Sequence, residues 1–181
     1  MHPFYTIGHS TLSIEDFVAL LRRPGITFVA DVRTLPRSRK NPQYNIDVLP
    51  SSLAAFQIQY EHMPALGGLR GRSREVAPSV NGLWQNESFH NYADYAMGEV
   101  FRDAVAHLTE RGRMQCSVIM CAEAVWWRCH RRIIADYLLA SGETVLHILG
   151  ATKIEPARLT AGAQTHPFGI VTYPGARTDE H

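Results

Sequence analysis

The sequence predicts an α/β fold with an open, mostly parallel, doubly wound (Rossmann-like) sheet and helices on both faces. Short apolar or β-branched runs recur at residues 4–7, 26–32, 116–121 and 144–149. Segments with helical spacing lie between these runs, and Ser13 begins the first such segment as an N-cap. A strand, a helix and a second strand in this order imply a right-handed crossover between parallel strands.

The remaining elements follow from spacing and from breaker residues. Ile14 to Leu21 have helical spacing, and Pro24-Gly25 ends that helix. Residues 34–44 contain two prolines and three cations, which predicts a long functional loop. Further helices are predicted over 49–56, 89–108 (as one or two helices) and 128–140, and further strands over 58–62 and, as an edge strand, 169–173.

Length and composition predict the domain organisation. A chain of 181 residues predicts a single α/β domain over 1–181, long enough to bury roughly 70% of its unfolded surface. Residues 66–88 are rich in Gly, Arg, Pro and Ser, which predicts a lid or an insertion. Residues 174–181 predict a frayed tail.

Targeting and charge patterns narrow the class of protein. No apolar run approaches the roughly 18 residues of a membrane helix, and the N-terminal residues resemble no signal region. We therefore expect a cytoplasmic protein without a membrane partner, in which the three cysteines stay reduced. The net charge of +1 makes nucleic acid a less favoured partner than a small ligand. These patterns do not predict the oligomeric state.

Reactive side chains follow several predicted strands at their carboxyl ends. His9 and Ser10 follow the first strand, and Cys121 ends a later one. Cys129 and His130 come at the start of the next helix, where free N–H groups favour a thiolate or a bound anion. Ligands of open parallel sheets bind beyond the carboxyl ends of the strands. We therefore expect one crevice to contain these side chains.

Thiol chemistry is the leading hypothesis for this crevice. Cys121 or Cys129 would be the nucleophile, and a histidine would be the base, oriented by a carboxylate. The predicted catalytic residues are Cys121, Glu123, Cys129, His130, His9 and Asp31.

Cations near the same strand ends predict the class of substrate. Guanidinium groups bind phosphate and carboxylate through paired hydrogen bonds. The predicted anion-binding residues are Arg33, Arg37, Arg39, Arg131 and Ser10. Together with the thiols, they predict an enzyme that acts on a small anionic, phosphate-bearing or nucleotide-like substrate.

Three alternatives stay open from the residues alone. Cys121, Cys129 and His130 are possible ligands of a divalent metal cofactor, although adjacent Cys and His residues rarely bind one ion together. A non-catalytic module would bind nucleic acid or a nucleotide through Arg33, Arg37 and Arg39. The third alternative is that the cysteines, the histidines and their neighbours at this edge have only a structural role.

Several motifs carry a resemblance to a known family. They are Thr6-Ile7-Gly8-His9-Ser10, Asp31-Val32-Arg33, Pro36-Arg37-Ser38-Arg39, Leu66-Gly67-Gly68, Tyr92-Ala93-Asp94-Tyr95 and Met120-Cys121-Ala122-Glu123 with Cys129-His130-Arg131. This pattern resembles domain-of-unknown-function family 488 from Thr6 to about Ile148. Members often have a proline between the Glu and the Cys-His-Arg, where this chain has Ala124-Val125-Trp126-Trp127. The resemblance implies a fold and the location of a site, because the family name carries no reaction.

The chain also resembles rhodaneses and cysteine phosphatases in topology. Both groups have an Asp-Val-Arg strand and a strand that ends in Cys before a helix. Their anion-binding loop needs small residues, whereas Glu123, Trp126 and Trp127 occupy it here, and Arg128 comes one position too late. The sequence therefore does not predict phosphatase or sulfurtransferase activity.

Overall fold

A computed structural model describes residues 1–176, so the predicted frayed tail lies outside the described residues from 177 onwards. Five helices and eight strands follow one another along this part of the chain. They are β1 (Phe4–Gly8), α1 (Ile14–Arg22), β2 (Phe28–Asp31), α2 (Leu49–Ala54), β3 (Gln59–His62), α3 (Glu87–Ala96), α4 (Glu99–Met114), β4 (Ser117–Cys121), α5 (Arg131–Ala140), β5 (Val145–Gly150), β6 (Lys153–Pro156), β7 (Gln164–Thr165) and β8 (Val171–Thr172).

The main sheet has the strand order β3-β2-β4-β1-β5-β6. Strands β1 to β5 pair in parallel, and β6 pairs with β5 antiparallel. The central strands β4, β1 and β2 therefore end at the same edge, where their carboxyl ends meet. The predicted fold class is confirmed.

Helices cover both faces of this sheet, and β4 shows how the sequence achieves it. Val118 and Met120 pack with α1 and α2, whereas Ile119 and Cys121 pack with α3, α4 and α5. Successive side chains of a strand point to opposite faces, so an unbroken apolar run suits a strand that is buried on both. The same alternation places Cys121 on the face that α5 covers.

Three boundaries differ from the prediction. The helix predicted from Arg128 begins at Arg131, because a short 3-10 turn occupies Trp126–Arg128 first. The segment 89–108 contains parts of two helices, which separate at Gly98, the N-cap of α4. The strand predicted over 169–173 is not an edge strand of the main sheet, since β8 pairs with β7 in a separate two-stranded sheet. The edge strand beside β5 is β6, which is short and largely exposed and has no apolar run to reveal it in the sequence.

The segment 66–88 connects β3 to α3, and after the 3-10 turn Pro64–Leu66 it contains no helix or strand until α3 begins at Glu87. Its first residues are attached to α3, because the Tyr92 hydroxyl donates to the Leu66 carbonyl (2.8 Å) and the Tyr95 hydroxyl to that of Ala65 (2.6 Å). Its role as a lid stays a prediction. No helix within residues 1–176 has both the length and the apolar character of a membrane span.

Candidate active site

The thiol of Cys129 lies in the connection between β4 and α5 and is surrounded by hydrogen-bond donors. The backbone N–H and the Nε–H of Arg131 both point at the Cys129 Sγ, each at 3.4 Å. The Sγ of Cys121, at the end of β4, lies 2.8 Å from the same sulfur. Three donors around one sulfur favour its thiolate form, because a thiolate accepts hydrogen bonds and a thiol mainly donates one.

Arg131 needs a negative partner, and Cys129 is in position to supply it. The Arg131 side chain is 1% exposed, and its terminal nitrogens donate to the Thr6 hydroxyl (3.2 Å) and the Glu123 carbonyl (2.7 Å). Within residues 1–176 no carboxylate lies at ion-pair distance from Arg131. An unpaired buried charge is costly, so the guanidinium stabilises a thiolate at Cys129.

The two thiols have opposite shifts in pKa. Burial alone raises the pKa of the Cys129 thiol, but the hydrogen bonds from Cys121 and His130 and the charge of Arg131 lower it well below its usual range. Burial, together with the adjacent Cys129 sulfur, raises the pKa of the Cys121 thiol well above its usual range. Cys129 is therefore the thiolate of the pair, and Cys121 is the thiol that donates to it.

His130 lies beside the thiolate in a defined tautomer. Its Nε2 lies 2.7 Å from the Val32 carbonyl, which only accepts hydrogen bonds, so Nε2 carries a proton. The Nδ1 faces the Cys129 Sγ at 3.5 Å, so it can accept the thiol proton and then donate that N–H to the resulting thiolate. This arrangement supplies a base whose orientation depends on the backbone at the end of β2.

Gly8 allows the loop after β4 to pack closely against β1. A side chain at Gly8 would overlap the Glu123 carbonyl, so the loop after β4 crosses β1 only because residue 8 has no Cβ. This crossing holds the Glu123 carbonyl where Arg131 donates to it.

A cavity of about 350 Å³ opens onto the thiols. Most of its lining is apolar or aromatic, and its charged residues are Arg33, Glu123 and Arg128. A cavity of this size admits a small molecule and excludes a folded partner. Its lining residues are Arg33, Thr34, Leu35, Gly68, Leu69, Ser88, Phe89, Tyr92, Cys121, Ala122, Glu123, Arg128, Cys129 and His130.

A second buried network adjoins the cavity at Arg33. Its guanidinium donates to both oxygens of Asp31, at 2.9 and 2.7 Å, and to the Tyr44 carbonyl at 2.7 Å. The Tyr60 hydroxyl also donates to Asp31, which is fully buried. Paired bonds of this kind hold a guanidinium in one orientation. Asp31 therefore positions Arg33 and does not face the cavity.

His9 belongs to this second network. Its Nδ1–H donates to the Ser10 carbonyl (2.8 Å), its Nε2 accepts from Arg33 (3.3 Å), and its ring stacks on Tyr44 with centroids 3.9 Å apart. Burial, opposed by the bond to Ser10 and reinforced by the charge of Arg33, lowers the pKa of His9 to about 4. His9 is thus a neutral, buried ring on the α1 and α2 side of the sheet.

The structure brings only part of the predicted set together. Cys121, Glu123, Cys129, His130 and Arg33 line the cavity, and Arg131 lies behind the thiols. The carboxylate of Glu123 accepts from the Val125 N–H (3.3 Å), so its backbone carbonyl is the group that contacts Arg131. Ser10, Asp31, His9, Arg37 and Arg39 do not line the cavity, and exposed Arg37 lies 3.7 Å from exposed Asp47.

Sequence reasoning missed several residues that support the site. Thr6 accepts from Arg131, and its hydroxyl lies 2.7 Å from Nδ1 of His147. Trp126 stacks on His147 with centroids 4.4 Å apart. A polar threonine inside an apolar strand is the only signal for Thr6. Nothing local marks Gly68 or the exposed Arg128 as lining the cavity beside the thiols, or Tyr60 as a partner of Asp31.

The donor geometry does not fit a metal ion. Two thiolates on one tetrahedral zinc ion lie about 3.8 Å apart, whereas these sulfurs are 2.8 Å apart. No group of three or more His, Cys, Asp or Glu residues within residues 1–176 is arranged to hold a metal. Cys121, Cys129 and His130 are therefore not arranged as ligands of one ion in this structure, and their role as metal ligands stays a hypothesis.

These features define an α/β domain with a cysteine pair at the carboxyl edge of a parallel sheet. The chain belongs to the family described as Domain of unknown function DUF488, which matches residues 13–138, more than two thirds of the chain. This match confirms the resemblance that the motifs suggest. The comparison with curated proteins gave no match, and the comparison with solved structures gave none.

Proposed function

We propose that this protein is an enzyme that uses Cys129 as a thiolate nucleophile on a small anionic substrate. One observation carries the proposal: two N–H groups of buried Arg131 and the Cys121 thiol converge on the Cys129 sulfur beside an open cavity. A structural cysteine needs no such environment, whereas a low-pKa thiolate is the reactive form of cysteine.

The surrounding groups assign a role to each partner of Cys129. Its sulfur attacks an electrophilic atom of the substrate and forms a covalent bond while the leaving group departs. His130 takes the thiol proton on Nδ1 and returns it to the leaving group. Its Nε2–H stays bound to the Val32 carbonyl in both states, so the ring does not need to turn.

The cavity supports a small anionic, phosphate-bearing or nucleotide-like substrate. Exposed Arg128 lies on its wall, and within residues 1–176 no carboxylate lies at ion-pair distance from it. Arg128 is thus available to bind an anion, whereas the contacts of Arg33 and Arg131 give both a positioning role. Phe89 and Tyr92 on the same wall suit the planar part of a nucleotide-like molecule.

Alkylation of the native protein tests this proposal. We expect iodoacetamide to modify Cys129 at least about tenfold faster than Cys116, whose pKa burial raises. The preference for Cys129 over Cys116 should be greater with iodoacetate, the anionic analogue, than with iodoacetamide. Arg128→Gln should remove this difference between the two reagents. Peptide mass spectrometry assigns the modified cysteine. Equal rates at Cys129 and Cys116 would refute the nucleophile.

The exposed cations of the 34–44 loop favour a second candidate function, the non-catalytic binding of nucleic acid or a nucleotide. Arg37, Arg39 and Lys40 are all exposed within four positions. Binding through them would weaken steeply with salt and would not change in Cys129→Ser. Titration of a fluorescent random oligonucleotide at several salt concentrations distinguishes this function from the enzyme.

A further inference from the structure

We infer that Cys121 and Cys129 form a reversible disulfide when a hydroperoxide enters the cavity, with Cys129 as the attacking thiol and Cys121 as the resolving thiol. The inference requires Cys129 to be the reactive cysteine, as the proposed function does, but it does not require turnover of any substrate. It goes beyond that function by assigning a chemical role to Cys121.

The geometry of the pair carries this inference. Both cysteines are free, and their sulfurs lie 2.8 Å apart, so a bond needs a further approach of only about 0.75 Å. The two residues lie at the two ends of one connection, Cys121 at the end of β4 and Cys129 just before α5. A small change within this connection is therefore enough to join them.

The third cysteine is separated from this pair by the sheet. Cys116 packs on the α1 and α2 side, whereas Cys121 and Cys129 pack on the side of α3, α4 and α5. The nearest acceptor of the Cys116 thiol is the Pro24 carbonyl at 3.9 Å. Oxidation should therefore join one defined pair and leave Cys116 reduced.

The reaction is balanced with hydrogen peroxide as the oxidant. The Cys129 thiolate attacks one peroxide oxygen, the O–O bond breaks, and Cys129 becomes a sulfenic acid as hydroxide leaves. The Cys121 sulfur then attacks the Cys129 sulfur and displaces the sulfenic hydroxyl, which leaves as water with the Cys121 proton. Peroxide is reduced, and the two cysteines are oxidised to a disulfide.

The surroundings suit each step. Cys129 and Cys121 both line the cavity, which is large enough for a peroxide molecule. Cys121 lies in contact with the Cys129 sulfur, so it reaches the sulfenic acid before a second peroxide does. The disulfide removes the thiolate that pairs with buried Arg131, so it should stop the chemistry of the site.

Mass spectrometry and thiol titration of the full chain test this inference. We expect one equivalent of hydrogen peroxide to lower the intact mass by about 2 Da, to remove two of the three titratable thiols and to yield a linked peptide containing Cys121 and Cys129. A small dithiol should reverse all three changes. Cys116→Ser should still form the disulfide and is the matched control.

Variants of the pair separate the roles of the two thiols. Cys121→Ser should lose the disulfide and accumulate Cys129 sulfinic acid, about 32 Da heavier, while Cys129→Ser should resist peroxide. Cys121→Ala repeats the test if the serine variant unfolds. Three titratable thiols after peroxide treatment, or a sulfinic acid in the native chain, would overturn the inference. Rapid alkylation of Cys129 without a disulfide refutes this inference alone. A disulfide that forms while Cys129 is alkylated no faster than Cys116 refutes the proposed nucleophile and the assignment of Cys129 as the attacking thiol.

Discussion

Gly68 lies against the ring of His130, and a Cβ atom at position 68 would be 2.7 Å from the ring Nδ1. The same nitrogen faces the Cys129 sulfur at 3.5 Å. The 66–88 segment thus touches the face of the base that takes the thiol proton. This contact gives Gly68 a reason to be glycine that a tight turn alone would not give.

Gly68→Ala should therefore slow the chemistry of Cys129 without unfolding the protein. The added methyl group pushes the His130 ring away from the sulfur, and small displacements of a catalytic group cost about tenfold or more in rate. The rate of Cys129 alkylation by iodoacetamide measures the effect. Gly71→Ala is the matched control in the same segment, because nothing lies within 4 Å of a Cβ there. Equal losses in both variants would contradict the specific contact with His130.

The guanidinium of Arg131 supports a second prediction. Arg131→Lys keeps a positive charge but loses the planar set of donors that reaches Cys129, Thr6 and the Glu123 carbonyl together. We expect the pKa of Cys129 to rise towards its ordinary range. Ultraviolet absorbance of the thiolate during a pH titration measures this change. Exposed Arg158→Lys is the control, and an unchanged titration in Arg131→Lys would show that Arg131 does not stabilise the thiolate.

The sequence predicts where this site lies better than which atoms perform its chemistry. Cys121 and Cys129 flank one connection at a strand end, and strand order alone brings such residues to one edge of a parallel sheet. The role of Arg131 depends on Thr6, which is 125 positions away in the chain. Sequence spacing cannot show which groups accept the hydrogen bonds of an arginine, because residues far apart in the chain supply these groups. For the same reason His9 looks like a candidate base in sequence, although Tyr44 and Arg33 hold it in a separate network.

The ion pair of Asp31 and Arg33 supports a prediction of stability. Asp31→Asn leaves a buried guanidinium without a charged partner, so the free energy of unfolding should fall by about 3 kcal/mol or more. Urea denaturation measures the change. Asp47→Asn makes the same replacement in the exposed pair with Arg37 and should cost less than about 1 kcal/mol. Similar losses at both positions would mean that the buried pair stabilises the fold no more than the exposed pair does.

Acid should destabilise the fold through two buried histidines, His147 and His9. Burial, together with the charge of Arg131, lowers the pKa of His147 from 6.5 to about 4. Burial also lowers the pKa of His9 to about 4. A lowered pKa in the folded state means that the unfolded chain binds protons first as pH falls. The stabilisation is therefore complete above pH 6.5 and is lost as pH falls towards 4.

Replacement of His147 tests this dependence. His147→Asn keeps a polar group near the Thr6 hydroxyl but removes the titration, so stability should depend less steeply on pH between about 6.5 and 5. Urea midpoints across this range measure the slope, and exposed His2→Asn is the control. A slope identical to that of the native chain would show that His147 has the same pKa in the folded and unfolded chain. In that case its contact with Thr6 would not depend on the neutral ring.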